Sequence, residues 1–185
     1  ITSANTDTAS GVISGECAAG DGADKITFAD DYTITLASSQ LPVVTTEMTI
    51  AGNGAADTII EAQTCNPVTT PGSCTPVERR AFQVSSDLTL EGVTVRHGYC
   101  VSLQCPGSQG HGGGIYVGTG ALTLVDSLLS GNMAGTAGGA VYVVGGTLDI
   151  INSSVSNNEA GNNSGAIRSS GSAVTITGSF LSGNI

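Results

Sequence analysis

Two histidines and two neighbouring cysteines are the first residues that could do chemistry. His97, Cys100, Cys105 and His111 can be written as a Cys2His2 metal site. Zinc holds such ligands in a tetrahedron, and its sequence patterns pair them at characteristic short spacings. The spacing here matches none of those patterns. Disulfide formation is the competing chemistry. Cys100 and Cys105 flank Val-Ser-Leu-Gln, and Cys65 and Cys74 flank Asn-Pro-Val-Thr-Thr-Pro-Gly-Ser. Both are short, turn-rich loops that suit local bridges and an oxidising, secreted setting. We expect Cys65–Cys74 and Cys100–Cys105 bridges, no metal and no cofactor, with Cys17 free or paired outside the chain. A second cluster is ionic: Glu78, Arg79, Arg80, Asp87 and Glu91 are close in sequence. They could form a charged patch, but a solvated corner is the simpler reading. A third candidate is the glycine-rich stretch Gly110–Ile115. A loop that cradles phosphate needs a strand before it and a helix after it, and no helical pattern follows here.

The elements that would position these residues follow from a repeat. The segments 110–134, 135–160 and 161–185 align without gaps. Gly113, Gly139 and Gly165 coincide, as do Leu124, Ile150 and Ile176, and Asn132, Asn158 and Asn184, at a spacing of 26 (139 − 113). A gapless repeat over three units signals a repeat architecture. Within each unit apolar residues alternate with small polar ones in three short runs, the period of strands. We therefore expect an all-β, single-stranded right-handed parallel β-helix. Residues 1–25 would form an N-terminal cap region and residues 26–185 about five coils. Leu88, Leu122, Leu148 and Val174 would stack as one inward column, and Leu90, Leu124, Ile150 and Ile176 as another. The two disulfide loops would be excursions from coil corners, which explains the longer offsets of 34 (122 − 88) and 40 (88 − 48) upstream.

Composition agrees. The chain has 185 residues, enough for one domain, with 27 glycines and only 11% charged residues. Its net charge of −10 repels phosphate backbones and anionic lipid, so nucleic acid is excluded as a partner. No apolar run is long enough to insert in a membrane, and none near Ile1 reads as a signal segment.

The expected phase tests the remaining chemistry. Polysaccharide lyases and hydrolases need a basic residue or paired carboxylates on one outer face. Asp149 aligns with Thr123 and Thr175, Asp126 with Asn152 and Gly178, and Glu91 with Val125 and Ile151. No two carboxylates share a column on adjacent coils, so we expect no catalytic residues. One outward column would read Phe82, Tyr116, Tyr142 and Arg168. Such a strip could bind carbohydrate or a partner, or could simply be a stacking ladder. Thr49, Thr89, Thr123, Asp149 and Thr175 form another outward column; threonine rows can order water, but an aspartate interrupts this one. Asn152 and Asn162 fit the glycosylation acceptor pattern, which matters only in a eukaryotic secretory route.

The recurring Gly-Gly-Gly-Ile, Gly-Gly-Ala-Val and Ser-Gly-Ala-Ile, followed by Ser-Gly-Asn, Ser-Asn-Asn and Ser-Gly-Asn, resemble the repeats of polymorphic outer-membrane proteins. Leu129, Val155 and Leu181 stand where that family usually has Phe. The N-terminal part, from Ile1 through Ile50-Ala-Gly-Asn-Gly, resembles secreted bacterial β-helix proteins of the CSLREA-domain kind. The Cys-Ser-Leu-Arg-Glu-Ala segment of that family would directly precede Ile1, and its cysteine is the candidate partner for Cys17. Together these resemblances imply a secreted protein of the bacterial cell surface, with a structural or adhesive role. Its expected partners are further β-helix coils or other copies of itself stacked end to end into filaments, and polysaccharide. We expect the chain to be a segment of a longer protein. The alternative is a carbohydrate-active β-helix, either a lyase or hydrolase or a binding module.

Overall fold

The computed structural model describes residues 1–6, 22–69, 72–102, 105 and 109–185. The expectation for Cys17 falls outside these residues. Strand dominates, and every named strand pairing is parallel. The strands fall into four sheets, which the chain visits in a fixed order. Sheet I holds Phe82–Val84, Ile115–Val117, Val141–Val143 and Ile167–Ser169. Sheet II has six strands, Asp24–Thr27, Met48–Ala51, Leu88–Glu91, Ala121–Val125, Thr147–Ile151 and Ala173–Thr177. Sheet III also has six, Tyr32–Thr35, Thr58–Glu61, Thr94–Arg96, Leu128–Ser130, Ser154–Ser156 and Phe180–Ser182. Sheet IV is built of two-residue strands, Tyr99–Cys100, Met133–Ala134 and Glu159–Ala160. Each passage through the sheets, a round, ends beside the start of the next.

Alternation within each strand separates the faces. Leu122, Leu124, Leu148 and Ile150 are fully buried, and the neighbouring Thr123 and Asp149 are not. The register places Leu88, Leu122, Leu148 and Val174 in one column and Leu90, Leu124, Ile150 and Ile176 in the next. Sheet III contributes Ile60, Val95, Leu129 and Val155 to the same core. At the other end of the core, the helix Thr2–Thr6 puts Ala4 into the cluster and ties Asn5 Oδ1 to the Thr45 N–H at 2.9 Å.

One expected alignment is corrected. Phe82 is not in the outward column with Tyr116: it is fully buried and pairs with Ile115, while Gln83 pairs with Tyr116. The corner from Val84 to Leu88 is one residue shorter than the corner from Val117 to Leu122. Carrying the phase of Leu88 back across that corner slips the register by one, and a one-residue slip turns a side chain to the opposite face.

The corners carry polar ladders. Asn132, Asn158 and Asn184 are bonded in series. Asn158 Oδ1 accepts from the backbone N–H and Nδ2 of Asn132, at 3.0 and 2.9 Å. Asn184 Oδ1 accepts in the same way from Asn158, at 3.1 and 3.0 Å. Each Nδ2 also donates to a carbonyl of the preceding round: Val95, Leu129 and Val155 respectively. Asn132 and Asn158 are fully buried. Water cannot satisfy the corner there, so the side chains must. A second ladder runs through serines. The Ser127 N–H donates to Ser153 Oγ at 3.0 Å, and the Ser153 N–H to Ser179 Oγ at 2.9 Å. Beside each ladder the chain turns through the left-handed region. Gly92, Asp126, Asn152 and Gly178 do so at one corner, and His97, Gly131, Asn157 and Gly183 at the other. Glycine and asparagine tolerate that conformation best, which explains most of these choices.

Candidate functional site

The outer face of sheet I gathers the aromatic and cationic residues into a shelf. Tyr116 and Tyr142 are the middle residues of three-residue strands, so both point away from the core, and Tyr142 pairs with Arg168. Their rings are nearly parallel, with centroids 6.0 Å apart. His111 stacks on Tyr142 at 4.5 Å. It is held there by a parallel bridge to Ala137 of the next round. The Arg80 guanidinium lies 5.2 Å from the Tyr116 ring centroid, within reach of a cation–π contact. Of the sequence-derived strip, the structure thus brings together Tyr116, Tyr142 and Arg168, adds His111 and Arg80, and removes Phe82.

Charge on the shelf is positive. Burial pushes Arg80 down to about 10, against opposing contributions from Tyr116 and Glu78, so it stays protonated at neutral pH. One of its amino groups, Nη2, also lies 3.0 Å from Cys100 Sγ. Burial, followed by the charges of Arg80 and Arg168, holds His111 below its ordinary value. Its imidazole is therefore neutral at pH 7 and able to donate or accept a hydrogen bond. Arg168 is exposed and makes no ion pair or hydrogen bond among the described residues. His111 covers one face of Tyr142, and Arg80 sits against Tyr116. The rings already stabilise one another, so the strip is not a bare platform for a sugar face.

A second polar cluster lies where the Cys65–Cys74 loop leaves sheet III. Glu61 is only 4% exposed despite its outward position. Arg96 holds Glu61 Oε2 through Nε at 2.9 Å and Nη2 at 2.7 Å, and Thr35 donates to Oε1 at 2.7 Å. His97 Nδ1 is 3.8 Å from the same carboxylate and 3.0 Å from the Gln63 carbonyl oxygen, which can only accept, so this contact requires the proton on Nδ1. Burial would raise the Glu61 carboxyl, but the Thr35 and Arg96 hydrogen bonds and the charges of Arg96 and His97 hold it below its ordinary value. A carboxylate kept ionised in this way serves as an anchor, not a general acid. Gln63 completes the anchor by pairing its side chain with both the N–H and the carbonyl oxygen of Val77, at 2.7 and 3.2 Å. The structural clue was available in the sequence, since Thr35 and Glu61 stand one repeat apart.

The remaining candidates separate. Cys65–Cys74 and Cys100–Cys105 are disulfides with Cα–Cα distances of 5.8 and 5.6 Å. Glu78 approaches Cys100 and Cys105 closely enough for all three ligand atoms to lie within 4.8 Å of one another. Both sulfurs are committed to the bridge, and Glu78 Oε2 accepts the Val101 N–H at 3.0 Å. His97 sits against Glu61 and Gln63, whereas His111 stacks on Tyr142, so the four residues of the Cys2His2 arrangement do not converge. The ionic cluster also disperses. Arg79 and Arg80 are buried, Asp87 accepts the Ala121 N–H at 2.8 Å, and Glu91 lies 3.9 Å from Lys25. The threonine column is in register, with Lys25 before Thr49 and Asp149 between Thr123 and Thr175. Arg80 and His111 were not legible as shelf residues, because loop segments bring them there. No helix among the described residues is long and apolar enough to cross a membrane. The chain matches no protein-family model, no curated protein and no solved structure.

Proposed function

We propose that the chain is a right-handed parallel β-helix solenoid that works as a secreted structural or adhesive element of a bacterial cell surface. The observation that carries this reading is how the repeated residues are used. Leucine, serine and asparagine recur in order to join each round to the next, through apolar columns and two hydrogen-bonded ladders. That use favours length and rigidity over a reaction centre. The right hand follows from the strong preference of parallel crossovers for that sense. The disulfides are compatible with an extracellular setting. Coil-on-coil bonding inside the chain is also our basis for proposing further coils, or other copies stacked end to end, as its partners. Electron microscopy of the secreted material tests this. Rods or filaments are expected; compact particles that stay monomeric at high concentration would refute it.

The shelf on sheet I supports a second reading, a carbohydrate-active or carbohydrate-binding β-helix. Incubation with acidic and neutral polysaccharides separates the two possibilities within it. New unsaturated or reducing ends would identify an enzyme, and binding without cleavage a binding module.

A further inference from the structure

We propose that the shelf formed by His111, Tyr116, Tyr142 and Arg168 binds an extended saccharide carrying sparse anionic groups, carboxylate or sulfate. This rests on the carbohydrate reading of sheet I and is independent of the structural role. Four observations lead there. First, the chain holds five Lys and Arg residues in all. Lys25 and Arg96 face carboxylates, and Arg79 donates to the Leu36 and Ala62 carbonyl oxygens. Arg80 is fully buried and committed to Cys100 Sγ and the Tyr116 ring, which leaves Arg168 as the exposed cation beside His111 among the described residues. On a surface with a net charge of −10, this is where an anion finds attraction. Second, Arg168 is exposed, in register with Tyr142, and uncommitted among the described residues. A planar guanidinium of this kind takes a carboxylate or sulfate through two parallel hydrogen bonds.

Third, the shelf is long and narrow. Gln83, Tyr116, Tyr142 and Arg168 occupy one register column across four successive strands of sheet I. Neighbouring strands lie about 4.8 Å apart, so the contacts run as a line. A line fits an extended chain better than a compact molecule. Phenol and carboxamide groups along it offer donors and acceptors suited to hydroxyl groups. Fourth, the charge supply is small. One exposed guanidinium cannot offset a phosphate on every unit of a nucleic acid against the acidic remainder of the protein. Sparse anionic groups are what it can serve.

The two histidines make the test site-specific. His111 lies on the shelf, and His97 is held against Glu61 and Gln63 elsewhere. Titrate the folded chain with a short oligogalacturonate, a sulfated oligosaccharide and a neutral oligosaccharide of similar length, following the imidazole C–H resonances by NMR. A saturable shift of His111 alone with an anionic ligand is expected, and the arm that gives the tighter binding identifies carboxylate or sulfate as the preferred group. The Arg168→Gln variant, altered at an exposed side chain, should weaken that binding about tenfold while leaving the circular dichroism spectrum unchanged. Arg168→Lys should restore part of it. A shift of both histidines or of neither, an equal response to the neutral sugar, or unchanged affinity in Arg168→Gln would overturn the proposal. None of these failures would touch the rod-forming role, which microscopy reads independently.

Discussion

Replacing Asn158 by Ala should be among the most damaging single changes to a polar residue in this protein. The side chain is fully buried; its Oδ1 accepts two hydrogen bonds and its two Nδ2 hydrogens are shared among three acceptors. Its Oδ1 is the acceptor for the Asn132 N–H at 3.0 Å, and that N–H would be left unpaired inside the corner. One orphaned buried donor costs about 1–3 kcal/mol. The Leu129 carbonyl oxygen loses the Asn158 Nδ2 donor, and Asn132 Nδ2 keeps only the longer bond to the Val95 carbonyl oxygen at 3.3 Å. Asn184 Oδ1 is spared, since the Asn158 backbone N–H still reaches it at 3.1 Å. The sum is about 2–4 kcal/mol, a large part of the roughly 5–15 kcal/mol that holds an ordinary domain together. Asn158→Asp should be worse still. It sets a carboxylate oxygen against the carbonyl oxygens of Leu129 and Ser156 and buries a charge. Asn184→Ala should cost only about 1 kcal/mol, because its neighbourhood is partly open to water. The assay is urea unfolding followed by far-UV circular dichroism, since the chain has no tryptophan to report by fluorescence. If Asn158→Ala lies within about 0.5 kcal/mol of the parent at unchanged m, the ladder does not hold the rounds together and the reasoning fails.

Other outcomes follow from the same geometry. Phe82→Ala should lose about 3–5 kcal/mol and Gln83→Ala little; equal losses in the same unfolding assay would reinstate the outward placement of Phe82. The folded pKa of His97 lies below its ordinary 6.5, chiefly through burial, so the stability it contributes is present above that value and lost as pH falls through the folded pKa. His97→Asn, which copies Asn157 at the equivalent left-handed corner, should flatten the part of the melting-temperature decline below about pH 6.5 that His97 causes. The Glu61 carboxyl, lowered from 4.5, adds a second loss at more acidic pH, and removing Arg96 should shift that second window upward in a pH series of melting curves. Changing Cys65 and Cys74 together to Ser opens a loop with a sequence separation of 9 and should cost about 2–3 kcal/mol without unfolding the chain, because Gln63 still clamps Val77; calorimetry reads the difference.

The last three strands of sheet II were legible because they repeat without insertion. Leu124, Ile150 and Ile176 follow at constant spacing, and alternation then dictates which neighbours point inward. Phe82 was misplaced by a single missing corner residue, since a period of two carries no memory across a turn of different length. The two-residue strands of sheet IV, such as Met133–Ala134, are too short to show any period. The serine ladder escaped notice because serine at a corner reads equally well as an ordinary turn residue. Glu61 and Arg80 posed another kind of difficulty. Periodicity tells which way a side chain points, but not whether an excursion loop will return to cover it. The shelf depends on that: Tyr116 and Tyr142 came from the pattern, and His111 and Arg80 from the loops.

The asparagine ladder has a direction. Every amide oxygen accepts from the residue one round earlier, and every amide nitrogen reaches back to a carbonyl of that earlier round. A round is therefore completed by its successor: the N–H of Asn132 waits for Asn158, and that of Asn158 for Asn184. Amide dipoles aligned head to tail in this way polarise one another, so the ladder behaves as a zipper whose teeth close in sequence order. A chain emerging from its N-terminal end could lock each round as the next one arrives, with no distant segment required. A fault at one tooth would stall everything behind it, while the rounds already closed stayed shut.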